Sequence, residues 1–427
     1  MAGLLLTLVL GGGVLTVAGL GGGGPSASTP PGDAPAGSAS GTSTGDPRTP
    51  SSNPRDLAAA ALLESLQGRL AAGGRQQVAD LGVPDDLRVR RELAALRRNA
   101  RVLRVADLDL HYLGDGTRQL TSAQQRALPP GAWVGEARLR WRLRGYDQHP
   151  SERVVPVTFA TTGRGTRLLT LRRGYGAEVP LWLTGRVHVT RTPRSLVVAT
   201  RADRSAAIAP LADRAVLDVR RVLSRWRGRL VVEVPDDRRG LSRVLGSQPG
   251  DYRGIAAVTT TVDGSDDDDA PEHIFVNPPV FDPLGARGSQ VVLSHEATHV
   301  ATAAAVSSLP TWLVEGFADY VALRELDLPV TLTAGQVLAR VRRGGPPARL
   351  PGPAEFDARG PGLGASYEAA WLACRLLART YGERRLVRFY RAADRESSTA
   401  EAFRTVLGTD ERAFTRAWRA ELRRLAG

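Results

Sequence analysis

Lysine is absent: the 57 basic side chains set against 44 acidic ones are all arginine, giving a formal charge of +13. Cysteine is nearly absent too. The single Cys374 excludes an intrachain disulfide framework and any CxxC metal or redox motif. Six histidines are too few for a histidine-rich tract, and aromatic residues make up only 5% of the chain. The arginines are scattered rather than interleaved with aromatics, so the charge predicts no nucleic-acid surface. An Arg-, Ala-, Gly- and Pro-loaded composition of the kind a GC-rich genome encodes accounts for it. What is present is ordinary for a globular chain: 427 residues, 42% apolar and 24% charged, room for two or three domains with a sizeable core.

Residues 1–20 read MAGLLLTLVLGGGVLTVAGL, and the first charged side chain is Asp33. A run of this length and apolarity just suffices to cross a hydrocarbon layer about 30 Å thick. It has neither the basic n-region of a cleaved signal nor a lipobox cysteine. The reading is a membrane anchor or signal segment. Residues 21–55 are dominated by Gly, Pro, Ser, Thr and Ala without bulky apolar side chains, and read as a flexible linker. Anchor and tether predict a protein of the cell membrane with an extracytoplasmic head, or a secreted one.

Residues 56–200 read as an α+β accessory domain. A helical pattern over 56–104 gives way to alternating or β-forming runs at 107–112, 133–144, 154–161, 167–172, 181–191 and 195–200. Turn signals separate them, which predicts a meandering antiparallel sheet. In element order this resembles the cone-shaped NTF2-like or cystatin-like domains. His111, His149 and His188 lie here and carry no motif. From residue 201 the pattern turns mainly helical, with strands expected at 230–234, 254–262 and 273–278 in one sheet. The four aspartates at 266–269 lack the alternating spacing of a calcium loop and read as a solvated hairpin tip.

The chemistry concentrates in two short segments. Residues 290–300, QVVLSHEATHV, contain His295-Glu296-Ala297-Thr298-His299, an HExxH motif. On a helix, positions i and i+4 share a face, so both imidazoles can reach one ion. Glu296 sits on the adjoining stripe, suited to hold a water rather than the metal. Residues 311–320, TWLVEGFADY, repeat the i, i+4 spacing with Glu315 and Asp319. A hydrolytic zinc takes three protein ligands and an open fourth position. Glu315 is the natural third ligand, and Asp319 can accept the N–H of a ligating imidazole. The short loop at 306–310 would let the second helix pack back against the first.

HEATHV followed by WLVEGFADY resembles the gluzincin metallopeptidases of the MA clan, and most of all the "peptidase MA-like" group with its WLxEGxAxY-type second helix. The similarity covers roughly residues 200–427. The spacing from His299 to Glu315 is shorter than in thermolysin-type enzymes and matches this group. The resemblance implies a zincin-like metallopeptidase domain over 201–427 with a helical C-terminal subdomain. It implies Zn2+ on His295, His299 and Glu315, with Glu296 as general base and Asp319 orienting a ligand. A later tyrosine or histidine usually donates to the oxyanion in this group; Tyr367, opening the helical run 366–382, is the candidate, and Tyr320 a weaker one. A strand before the HExxH helix usually walls the cleft, and 273–278 is the candidate edge for an extended peptide. The expected function is an exported, membrane-tethered zinc metallopeptidase acting on peptide or protein substrates. The alternative is a non-catalytic peptidase-like binding or assembly protein of the cell envelope. A purely structural envelope protein ranks third.

Overall fold

The computed structural model describes residues 53–116, 120–171, 179–248, 251–357, 362–396 and 398–427. The expected anchor at 1–20, and the linker at 21–55 up to residue 52, lie outside them. The fold is α+β, with one antiparallel and one mixed sheet. Among the described residues no helix is long and apolar enough to cross a membrane.

The first helix, Pro54–Ala72, starts on Asn53, whose side chain accepts from the Arg55 N–H, with proline at the first helical position. A third helix, Leu87–Leu103, is capped by Asp86 and ends where Arg104 turns left-handed. Its Val89, Leu93, Leu96, Ala100 and Leu103 are buried at helical spacing. The first sheet is the predicted meander: β1 (Val105–Asp115), β2 (Ala132–Leu143), β3 (Ser151–Thr162) and β4 (Gly165–Thr170), paired in sequence order and all antiparallel. In β2, Ala137, Leu139, Trp141 and Leu143 are buried while Arg138, Arg140 and Arg142 alternate with them outside the core.

The second sheet has the order β5 (His188–Arg191), β6 (Ser195–Ala199), β7 (Leu230–Val234), β9 (Glu272–Val276), β8 (Ala257–Thr261). β6, β7 and β9 run parallel, and β5 and β8 close the two ends antiparallel. The helix Ala202–Val222 connects β6 to β7. This sheet buries apolar side chains on both faces. Leu196, Val198, Val231, Val258 and Phe275 join the core of the N-terminal helices and first sheet. Val197, Ala199, Val232, Ile274 and Val276 face the C-terminal helices. Strands covered on both sides need no polar face, so they read as continuous apolar runs.

Three expectations change here. Residues 188–191 and 195–199 belong to the second sheet and not to the meander, so the break between sheets falls near residue 187 rather than at 200/201. Residues 181–183 form a single 3-10 turn, held by Asn99 rather than by strand pairing. The 273–278 strand, β9, is flanked on both sides, so its main-chain groups are taken; the free edge beside the motif helix is β8. Asn277 donates to the Tyr252 and Ile255 carbonyls and serves the turn after β9. The four aspartates at 266–269 do lie in the β8–β9 connection.

A buried ion cluster and a guanidinium tie the halves together. His273 of β9 contacts Glu233 of β7 through Nδ1 at 2.8 Å and Asp147, after β2, through Nε2 at 3.0 Å. Arg153 of β3 donates to the Val262 carbonyl at 2.6 Å.

Candidate metal centre

The HExxH segment lies on the helix Gly285–Thr302, and its second motif on the helix Thr311–Leu323. The first helix is anchored from below. Asp218, on Ala202–Val222, accepts from Ser294 Oγ at 2.9 Å, and Gln290 donates to the Leu211 carbonyl. It ends just past His299: Ala303 turns left-handed, and its N–H and that of Ala304 donate to the His299 carbonyl. The chain then reverses and Pro310 starts the second helix. A third helix, Leu363–Tyr381, packs on the second at close range. A Cβ added at Gly316 would fall on the Ala370 carbonyl and 3.0 Å from Cys374 Sγ, so the residue after Glu315 must be glycine for this approach.

The geometry brings the predicted residues together. His295, His299 and Glu315 are buried and each offers a ligand atom, all within 4.8 Å of one another. The separations are 2.9 Å between the two Nε2 atoms, 3.2 Å from Glu315 Oε2 to His295 Nε2 and 3.6 Å to His299 Nε2. Ligands of a tetrahedral ion with bonds near 2.05 Å stand about 3.4 Å apart, so these spacings bracket a metal-binding cage. His295 Nδ1 meets Asp319 Oδ1 at 2.7 Å. That carboxylate can accept the Nδ1 proton, and in the neutral ring Nε2 then has a lone pair facing His299 and Glu315. Glu315 Oε2 is buried there with no hydrogen-bond donor. Two electron-pair donors therefore converge on His299 Nε2 in a dry site, the arrangement a cation satisfies.

The electrostatics agree. Burial opposes a charged His295, yet the Asp319 and Glu315 carboxylates outweigh it and hold its pKa well above the ordinary value. Burial alone would raise Glu315, but His299 and His295 hold it below the usual carboxylate range.

Glu296 is wholly buried. Its Oε2 accepts from Thr259 Oγ1 of β8 at 2.5 Å, while Oε1 has no partner. Burial raises its pKa against the pull of His299 and His295. Tyr367 is also wholly buried, its ring 6.2 Å from that of His295 and edge-on to Phe356 at 5.1 Å. Its hydroxyl has no partner, and burial, then Glu315, Asp319 and Glu296, push its pKa well up. Tyr320 is elsewhere: its hydroxyl donates to Glu383 at 2.8 Å beside Arg324, so it is not available as a donor to this centre. Cys374 is buried, its thiol pushed up by burial, and behaves as packing.

Thr259 escaped the sequence reading. It stands 37 residues before Glu296, in a run of three threonines whose alternation says only that one face is inward. Comparison with protein-family models, curated proteins and solved structures finds no match for this chain.

Proposed function

We propose that the chain is a zinc metallopeptidase of the gluzincin type, with a zincin-like domain carrying the centre and an N-terminal α+β accessory domain. The observation that carries this reading is the buried His295, His299, Glu315 cage with an unpartnered Glu296 oxygen beside it. Zinc bound there would polarise the scissile carbonyl and make water a nucleophile near neutral pH. The rest is the work of the chain. His295, held by Asp319, and His299 and Glu315 would hold the ion. Glu296 takes the proton of the attacking water through Oε1 and returns it to the departing amine, its other oxygen fixed by Thr259. Tyr367, with an unpartnered hydroxyl and its ring 6.2 Å from that of His295, donates to the oxyanion of the tetrahedral species. β8 is buried but ends the sheet beside the HExxH helix, so an extended peptide would pair with its main chain once the site opens. Export and membrane tethering through residues 1–20 belong to the same reading.

One observation favours the second reading, a peptidase-like protein that binds without cleaving. His295, Glu296 and Tyr367 are each fully shielded from solvent, so a peptide reaches them only after a rearrangement. Glu296→Gln separates the two. Under the enzymatic reading the variant keeps its zinc and loses roughly three orders of magnitude in turnover on a peptide library. Zinc binding with no hydrolysis by the parent protein favours the binding reading.

A further inference from the structure

A second feature lies on the N-terminal side of the molecule, away from the three ligand residues. It is a cleft of about 920 Å³ whose charged lining, among the described residues, is six arginines, Arg75, Arg88, Arg91, Arg98, Arg186 and Arg243, against one acid, Glu92. The arginines come from four separate stretches: two N-terminal helices, the 181–187 turn and the helix Arg238–Leu245. Scattered in the sequence, they are gathered by the fold.

Two observations set this cleft apart from a surface that merely carries charge. First, five of the six guanidiniums are not neutralised from within, Arg88 alone pairing with Asp86. Among the described residues Arg75, Arg91, Arg98, Arg186 and Arg243 form no ion pair, and Arg98 donates instead to the Val187 carbonyl at 2.7 Å. Burial first, and then the neighbouring Arg186, Arg101 and Arg75, lower the pKa of Arg98. Second, the wall is built rigidly. Asn99, fully buried beside Arg98, donates to the Trp182 and Gly185 carbonyls at 2.8 and 2.6 Å and accepts from the Val187 N–H. This clamp fixes the backbone that carries Arg186 against the helix that carries Arg91 and Arg98. Holding like charges at fixed positions is unfavourable unless an anion completes them, and the forked guanidinium matches phosphate oxygens in pairs.

We infer that this cleft is a binding site for a multiply charged phosphate group, large enough for a ligand of nucleotide or phospholipid-headgroup size. The inference does not depend on the metal centre. It is tested on the full-length chain with two probes, inorganic tripolyphosphate by titration calorimetry and phosphatidic acid vesicles by co-sedimentation against neutral vesicles. Arg91→Glu with Arg186→Glu is compared with Arg412→Glu and Arg416→Glu, an equal charge change on the exposed side of the C-terminal helix. Binding of either probe that weakens about tenfold or more in the first pair only supports the site, and the probe that binds identifies the source. Should the first pair fail to fold by circular dichroism, Arg91→Gln with Arg186→Gln takes its place. No binding of either probe, or equal weakening in both pairs, overturns it.

Discussion

Two buried histidine clusters stand in this molecule, built from the same parts. At His273 both ring nitrogens reach a carboxylate, Glu233 on one side and Asp147 on the other. At His295 both nitrogens also meet a carboxylate, Asp319 at Nδ1 and Glu315 Oε2 at Nε2, but Nε2 faces a second imidazole, His299, at 2.9 Å as well. The first cluster is complete once the ring is protonated, and it links the N-terminal sheet to the second one. The second remains incomplete, with donors converging and Glu296 Oε1, His299 Nδ1 and Glu315 Oε2 unpartnered. Buried polar groups are normally satisfied, so concentrated orphans point to a missing partner. Counting histidines and acids cannot tell the two clusters apart; asking where each lone pair goes can.

Substitution at the incomplete cluster should have the largest effect. Glu315→Ala removes a ligand and should weaken zinc binding by about a thousandfold or more, read by competition with a chromogenic chelator. The same change at Glu233 in the complete cluster should leave zinc affinity unaltered. A loss of zinc there would erase the distinction between the clusters.

The complete cluster should reveal itself through pH. Burial opposes a charged His273, but Asp147 and Glu233 outweigh it and raise its pKa to about 9. A raised folded-state pKa means stability fully present below the ordinary histidine value near 6.5 and lost as pH rises to about 9. The contribution is roughly 3 kcal/mol by linkage. Urea unfolding of the parent protein should therefore weaken between pH 6.5 and 9 more than that of His273→Gln. Parallel pH profiles for the two would remove the charged pairing from the account.

Smaller effects sharpen the picture. Asp319→Ala loosens an imidazole without deleting a bond, so zinc affinity or activity should fall about 10- to 100-fold, less than for Glu315→Ala. The reverse order would mean that Asp319 is the ligand. Gly316→Ala forces the two helices apart at the Ala370 carbonyl and should cost about 1–3 kcal/mol in thermal unfolding, with weaker zinc binding. An unchanged melting temperature would show that the helices yield freely.

The contrast also explains what could be read in advance. HEATH and EGFAD are legible because i, i+4 spacing on a helix fixes which side chains share a face, and a short loop returns the second helix to the first. The meander of β1 to β4 is legible because consecutive strands pair through local turns. Partnerships across long separations are not. Thr259 with Glu296, and His273 with residues 40 and 126 positions earlier, depend on strand order, which local pattern does not encode. For the same reason β5 and β6 were expected in the wrong sheet, and β9 at an edge that β8 occupies. The arginine cleft was hidden likewise, its residues lying far apart in the chain.

Metal content tests the central claim most directly. After chelation and dialysis against zinc, the parent chain and a His273→Ala variant should each hold close to one equivalent, and His295→Ala with His299→Ala should hold none. Stoichiometric zinc in that double variant, or its loss in His273→Ala with the fold intact by circular dichroism, would contradict the account.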